Sequence, residues 1–135
     1  MRVLSPLRYP GGKSKIADFV KQIVKDNDLL DGVYVEPYAG GAAVALSLLM
    51  DEYVSRIVIN DKDRSIYAFW YSVLNETELL CQKIANTPVT IETWRYQREI
   101  QSPENKEVVD LLTLGFSTLF MNRTNRSGII KAGVI

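Results

Sequence analysis

The segment Val33-Tyr34-Val35-Glu36-Pro37-Tyr38-Ala39-Gly40-Gly41-Ala42-Ala43-Val44 does most to limit what this chain can fold into. Its β-branched and aromatic run reads as a short buried strand, its glycines as a tight turn, and its alanines as the start of a helix. A second strand follows, Arg56-Ile57-Val58-Ile59, and it ends in Asn60-Asp61-Lys62-Asp63. A glycine turn followed at roughly 20 residues by a strand-end carboxylate is how α/β folds hold an adenosine ribose. Glycine lets the backbone approach the ligand, and the acid accepts the ribose hydroxyls. A nucleoside-containing cofactor is therefore the first expectation. Gly40 and Asp61 are its candidate binding residues, and Glu36, at the strand end, is placed to meet an ammonium group. The stretch Ala39 to Val44 lacks two glycines of the dinucleotide pattern G-x-G-x-x-G, which favours a smaller adenosine cofactor. Taken alone, the same turn also serves as a plain strand-to-helix connector, with Glu36 and Asp61 as turn and cap residues.

Composition removes several other classes. The chain has 135 residues, enough for one compact domain with a real core. Sixteen basic and 16 acidic residues cancel, so no global signal for a polyanion exists. The charges are unevenly placed, however. Arg2, Arg8, Lys13, Lys15, Lys21 and Lys25 make the N-terminal region basic, and Arg123, Arg126 and Lys131 close the chain without an acid among them. Such patches meet phosphates or are simply solvated. Cys81 is the single cysteine and there is no histidine, so an internal disulfide, a zinc cluster and histidine-based catalysis are not expected. No metal is expected. No apolar run approaches the ~20 residues that span a bilayer, and no signal-peptide pattern opens the chain. A cytoplasmic protein without membrane contact is the expectation.

The spacing of apolar residues predicts a helix over about 15–26, capped by Ser14 and presenting Ile16, Phe19, Val20, Ile23 and Val24 on one face. Strands are expected at about 33–36 and 55–60, with a helix at about 41–50 between them. From residue 64 the reading is helical: 64–74, then 76–85 capped by Thr77 or Asn75, then 92–101 ended by Pro103, then a mostly buried helix over 105–122. Residues 124–135 read as loop.

Two further motifs carry chemistry. Tyr9-Pro10-Gly11-Gly12-Lys13-Ser14 resembles a P-loop only in Gly-Lys-Ser. Leu7 stands where the P-loop needs its first glycine, so the segment reads either as a surface loop or as one whose lysine neutralises an anion as a point charge. Phe120-Met121-Asn122-Arg123-Thr124-Asn125-Arg126-Ser127-Gly128 offers amide, guanidinium and hydroxyl groups suited to base edges and phosphates, or is a polar helix exit.

In this order, the three segments resemble the Dam family of adenine-specific DNA methyltransferases, its α-order group. Tyr-Pro-Gly-Gly-Lys is similar to the family's N-terminal cofactor motif, Glu-Pro-Tyr-Ala-Gly-Gly to its glycine motif, and Asn60-Asp61 to the acid after the next strand. Asn122-Arg123 and Ser127-Gly128 resemble the start of its DNA-contacting region. The resemblance implies an α/β fold: an incomplete Rossmann-like core for S-adenosylmethionine over residues 1–63, then a helical segment over 64–135 that begins the DNA target-recognition domain. It implies that Tyr9 packs on the cofactor, that Lys13 pairs with its carboxylate, and that Glu36 and the Ala39-Gly40 backbone face its methionine end. Asp61 would bind the ribose. Arg123, Arg126, Ser127 and Lys131 would contact double-stranded DNA.

One departure matters. The family holds a flipped adenine against an Asp-Pro-Pro-Tyr loop, whose acid and carbonyl accept hydrogen bonds from the amino group. Here Pro6, Pro10, Pro37, Pro88 and Pro103 are never adjacent, so that loop lies outside these residues. The expectation is thus an N-terminal part of a methyltransferase, inactive alone. Its sheet would have an open edge and an apolar face, hence possible self-association through the incomplete core. The alternatives are a truncated DNA- or cofactor-binding product without catalysis, or a methyltransferase acting on RNA or a small molecule.

Overall fold

Helix α1 (Ala17–Asp26) is formed by apolar residues at helical spacing, and it ends where the Asn27 side-chain amide donates to Ile23 O at 2.9 Å. The computed structural model describes residues 4–8, 16–131 and 133. They fall into two units, residues 1–61 and 62–135. The expected apolar face of α1 is only half used. Ala17 and Val24 are buried with Val20 packed beside them, while Ile16, Phe19 and Ile23 face solvent. The apolar arc is broader than the surface that covers it. Ser14, the expected cap, lies outside the described residues; Ile16 holds the cap position and makes no side-chain bond.

Asp28 and Asp31 take left-handed backbone angles and turn the chain into strand β1 (Gly32–Glu36). Helix α2 (Ala43–Met50) follows, then strand β2 (Val54–Ile59), which pairs with β1 in parallel. Tyr34 faces Ile57 and Glu36 faces Ile59 across the register. An irregularity at Gly32/Val33 is bridged by Ser55, whose hydroxyl donates to Asp31 O at 2.6 Å. A parallel pair needs a crossover, and α2 supplies it. Val44 and Leu48 of α2 join Ala17, Val24 and Val54 in the core, with Tyr34 and Ile57 against it. On the other face of the sheet Val33, Val35 and Val58 are exposed. The mixed helix-and-strand class is as expected, with two parallel strands among the described residues.

The second unit is helical: α3 (Arg64–Asn75), α4 (Thr77–Asn86), α5 (Ile91–Ile100), α6 (Pro103–Lys106) and α7 (Leu111–Thr124). Asp63 caps α3 by accepting from Ser65 N at 2.9 Å, and Thr90 caps α5 by accepting from Thr93 N at 3.1 Å. The expected cap of α4 is corrected. Glu76 stands there without a side-chain bond, because Thr77 and Asn75 turn back to the carbonyls of Val73 and Tyr71 at the end of α3. The helix expected over 105–122 is also corrected, since it is two. Ser102 and Pro103 start the short α6, and Asp110 starts α7 by accepting from Thr113 N at 2.8 Å. Pro103 is therefore a helix-starting residue as well as the stop for α5. Val108, which falls inside that expected buried helix, is exposed in the break between them.

α7 is the centre of this unit. Its Phe116, Phe120 and Met121 pack with Leu80 and Trp94, and its Leu114 packs with Ala68 and Ile100. It also carries a polar seam. Gln101 accepts from the Ser65 hydroxyl at 2.7 Å and donates to Ser117 and Thr118 at 3.1 Å each.

Two carboxylates tie stability to pH. Burial pushes the Asp63 carboxyl up, but the Lys106 ammonium at 2.5 Å, the Ser65 N–H and Lys131 outweigh it and hold it below its ordinary value. The Thr113 N–H and hydroxyl hold Asp110 down likewise. A depressed folded-state value stabilises above the unfolded value, near pH 4, and the gain is lost as pH falls through the folded one. The double variant Asp63→Asn/Asp110→Asn should therefore be less stable than the parent at pH 6, by roughly 1 kcal/mol after screening at these exposed sites. Urea midpoints should converge as pH falls through the folded-state values of the two carboxyls, below their ordinary range. A gap that persists there would rule out the charge as its source.

Candidate functional site

In the first unit the two strands deliver their C-terminal ends side by side. Glu36 ends β1 with 3% of its surface exposed. Its carbonyl accepts from Asn60 N at 3.0 Å, and Asn60 O accepts from Ala39 N at 2.8 Å. The Asn60 side-chain amide adds a bond to Pro37 O at 3.1 Å. These bonds stitch the segment after β1 onto the end of β2, and Ala42 N to Ala39 O, at 2.6 Å, closes the turn. Gly40 has φ 50, a conformation that glycine adopts without a Cβ penalty. Ala42 pays that penalty at φ 52 and is buried as it enters α2.

Asp61 completes the turn: its Oδ2 accepts from Gly40 N at 2.9 Å. A carboxylate on a backbone N–H is a charge-assisted bond, about twice as strong as a neutral one. The acid 21 residues downstream thus reaches the glycine turn itself. Burial, and then the charge of Glu36, push the Tyr34 hydroxyl up, so it stays a neutral donor. The arrangement places an acceptor carboxylate at the turn, a second one buried at the strand end, and backbone N–H groups leading into a helix. That set suits a ligand with hydroxyls at one end and a positive charge at the other. Of the five cofactor candidates, Glu36, Gly40 and Asp61 are brought together. Tyr9 and Lys13 lie outside the described residues.

The N-terminal basic patch is partly spoken for. Lys21 donates to Asp51 at 2.6 Å, and that bond raises its pKa; Lys21 and Lys25 both lie over the Tyr53 ring.

In the second unit the exit of α7 carries the other candidates. Arg123, Arg126, Ser127 and Lys131 are all exposed. Residues Arg126–Gly128 form a short 3-10 turn in which Ser127 is left-handed at φ 54, so this part of the expected loop is ordered structure. The asparagines correct the sequence reading. Asn122 and Asn125 are buried and do not present their amides to a base edge. Asn122 Nδ2 donates to Gly128 O at 3.0 Å, and Asn125 Nδ2 donates to Ile129 O and Ile130 O at 3.0 and 2.8 Å. Trp94 Nε1 donates to Asn125 Oδ1 at 2.7 Å. Sequence reasoning missed Trp94, whose partner is 31 residues away, and it quoted Asn60 beside Asp61 without its bond to Pro37 O, 23 residues away; no local pattern marks either bond.

Among the described residues no cluster of His, Cys, Asp or Glu is arranged to hold a metal ion, and no helix is long and apolar enough to cross a membrane. A family model described as D12 class N6 adenine-specific DNA methyltransferase matches residues 9–133. No curated protein and no solved structure gives a significant match.

Proposed function

The chain belongs to the D12 class of N6 adenine-specific DNA methyltransferases, and on that premise we propose that residues 1–63 are the S-adenosylmethionine-binding part of a Rossmann-like core. Residues 64–135 begin the DNA target-recognition domain. The observation that carries the first assignment is the bond from Gly40 N to Asp61 Oδ2, which fixes a carboxylate against the glycine turn. S-adenosylmethionine, when bound, supplies a methyl group on a positively charged sulfur. Asp61 accepts the ribose hydroxyls, Glu36 offers its buried charge to the ammonium, and the backbone at Gly40 lies along the methionine end. Lys13 pairs with the carboxylate and Tyr9 packs against the ligand. Arg123, Arg126, Ser127 and Lys131 contact double-stranded DNA, and their shared exposure on one ordered exit supports that role.

Methylating an amino nitrogen needs groups that accept its hydrogen bonds and hold the base out of the stack. With no two prolines adjacent, these 135 residues do not contain the loop that does so. The chain by itself therefore binds and does not transfer methyl groups.

Calorimetric titration of S-adenosylhomocysteine into the purified chain tests this reading. Saturable binding with one site per chain supports it. A chain that is folded by circular dichroism and takes up no ligand would remove the cofactor assignment, and methyl transfer to DNA by the same chain would remove the assignment of inactivity.

A further inference from the structure

Trp94 lies in α5, far in sequence from the exposed exit of α7, yet its indole reaches the residue on which that exit hangs. We propose that Trp94 is a positioning residue for DNA contact: it fixes the orientation of the Asn125 amide, and through it the turn that carries Arg126, Ser127 and Lys131. The inference rests on the reading above that this turn meets DNA.

The hydrogen-bond inventory makes the argument. Asn125 is fully buried at the C-cap of α7. Its side chain has one carbonyl oxygen and two N–H donors. Both ends are committed: the oxygen accepts from Trp94 Nε1 at 2.7 Å, and the nitrogen donates to Ile129 O and Ile130 O at 3.0 and 2.8 Å. An amide is nearly symmetric in shape, so packing alone does not decide which end points where. An indole N–H only donates. Trp94 therefore demands the oxygen and turns the NH2 group toward the chain after Gly128. Asn122 holds Gly128 O at 3.0 Å and completes the fastening. Between these tethers the backbone must accept a left-handed Ser127. The Arg98 guanidinium lies 5.2 Å from the Trp94 ring centre, and the ring packs with Phe116, Phe120 and Met121, so the indole itself is well seated. Tethered carbonyls at 128, 129 and 130 set where the side chains on either side of them project. Without the indole donor the buried Asn125 oxygen loses its Trp94 partner, the amide is anchored less firmly, and the turn that carries the basic groups is fastened less tightly.

The test compares Trp94→Phe and Asn125→Asp with the parent chain and with Arg126→Ala/Lys131→Ala. Asn125→Asp keeps an acceptor for the indole and loses both donors. The probe is a pool of short random-sequence DNA duplexes, titrated at several salt concentrations. Each phosphate contact contributes about 0.9 to the slope of log affinity against log salt. Trp94→Phe and Asn125→Asp should each lower that slope by up to about 2, the loss of two cation–phosphate contacts, and weaken binding about tenfold at low salt. Helical circular dichroism and S-adenosylhomocysteine affinity should match the parent. A general loss of folded protein would change the active fraction and leave the slope alone, so the slope separates positioning from stability. In a Trp70→Phe background, where Trp94 is the only tryptophan, the duplex should also shift the indole emission.

Parent-like slopes in both variants, with a reduced slope in Arg126→Ala/Lys131→Ala, would overturn the role of Trp94. If Arg126→Ala/Lys131→Ala itself binds like the parent, the DNA reading of the turn is what fails, and this proposal goes with it.

Discussion

Replacing Gly115 by alanine is expected to destabilise the helical unit by about 3 kcal/mol, although alanine is the better helix former by roughly 1 kcal/mol. The reason is the crossing of α3 and α7. A Cβ on Gly115 would stand 2.5 Å from Ala68 O and closer still to Ser72 Oγ. Real Cβ contacts essentially never fall below 3.0 Å, so one helix must move. Neither neighbour yields cheaply. Ser72 Oγ donates to Ala68 O at 2.7 Å and to Leu111 O at 3.1 Å, locking α3 to the start of α7 at this point. The rest of α7 is packed by Leu114, Phe116 and Phe120, so a shift opens voids elsewhere. Urea unfolding followed by circular dichroism measures the loss. A second variant gives the cause: Gly115→Ala/Ser72→Ala removes the hydroxyl but leaves the Ala68 carbonyl, so most of the penalty remains. Full recovery in that double variant would show that the side chain alone forbids a Cβ. A Gly115→Ala chain as stable as the parent would mean that the helices cross less closely than described.

Gly115 also shows where sequence reasoning stops. In the sequence it is one small residue within an apolar helix, and the helix period says nothing of what faces it. The elements that were legible are those with local causes. The strand–turn–helix–strand run followed from β-branched clusters, a glycine turn and a strand-end acid. The helices over 64–74 and 92–101 follow from apolar spacing and Pro103, whereas the sequence reading does not single out the caps Asp63, Thr90 and Asp110, each accepting a backbone N–H, and misplaces the start of α7. Misreadings arose where a residue had two local options or a distant partner. Thr77 or Asn75 suits the start of α4 by residue type, yet their hydrogen bonds close α3. Apolar spacing placed Ile16, Phe19 and Ile23 inside, yet nothing among the described residues buries them. Asn122 and Asn125 carry groups that suit a base edge, and only the chain beyond them shows that those groups are spent on carbonyls 128, 129 and 130. Residue type announces chemistry; direction comes from the fold.

On the proposed reading Asp61 serves both the glycine turn and the ligand, and its substitution should have the largest effect on binding. Asp61→Ala is expected to weaken S-adenosylhomocysteine binding about a hundredfold, because it deletes a charged acceptor for the ligand and frees the turn at once. A hydrogen bond to a charged group is worth ~1.5–3 kcal/mol, and each 1.4 kcal/mol is tenfold in affinity. Asp61→Asn separates the two losses. The amide oxygen is still able to accept from Gly40 N, so the turn keeps its closure, while the charge is gone. That variant should bind about tenfold more weakly than the parent, between the two extremes. The unfolding free energy adds a check that does not depend on ligand. The alanine variant should lose about 1 kcal/mol from the missing Gly40 bond, and the asparagine variant much less. Parent-like affinity in Asp61→Ala would mean that the carboxylate serves the turn and no ligand at all. Equal, severe losses in both variants would mean that charge at this position outweighs closure of the turn. Intermediate affinity for Asp61→Asn with intact stability is the pattern that a carboxylate shared between glycine turn and ribose must produce, since Gly40 needs only an acceptor while the ligand hydroxyls gain from the full charge.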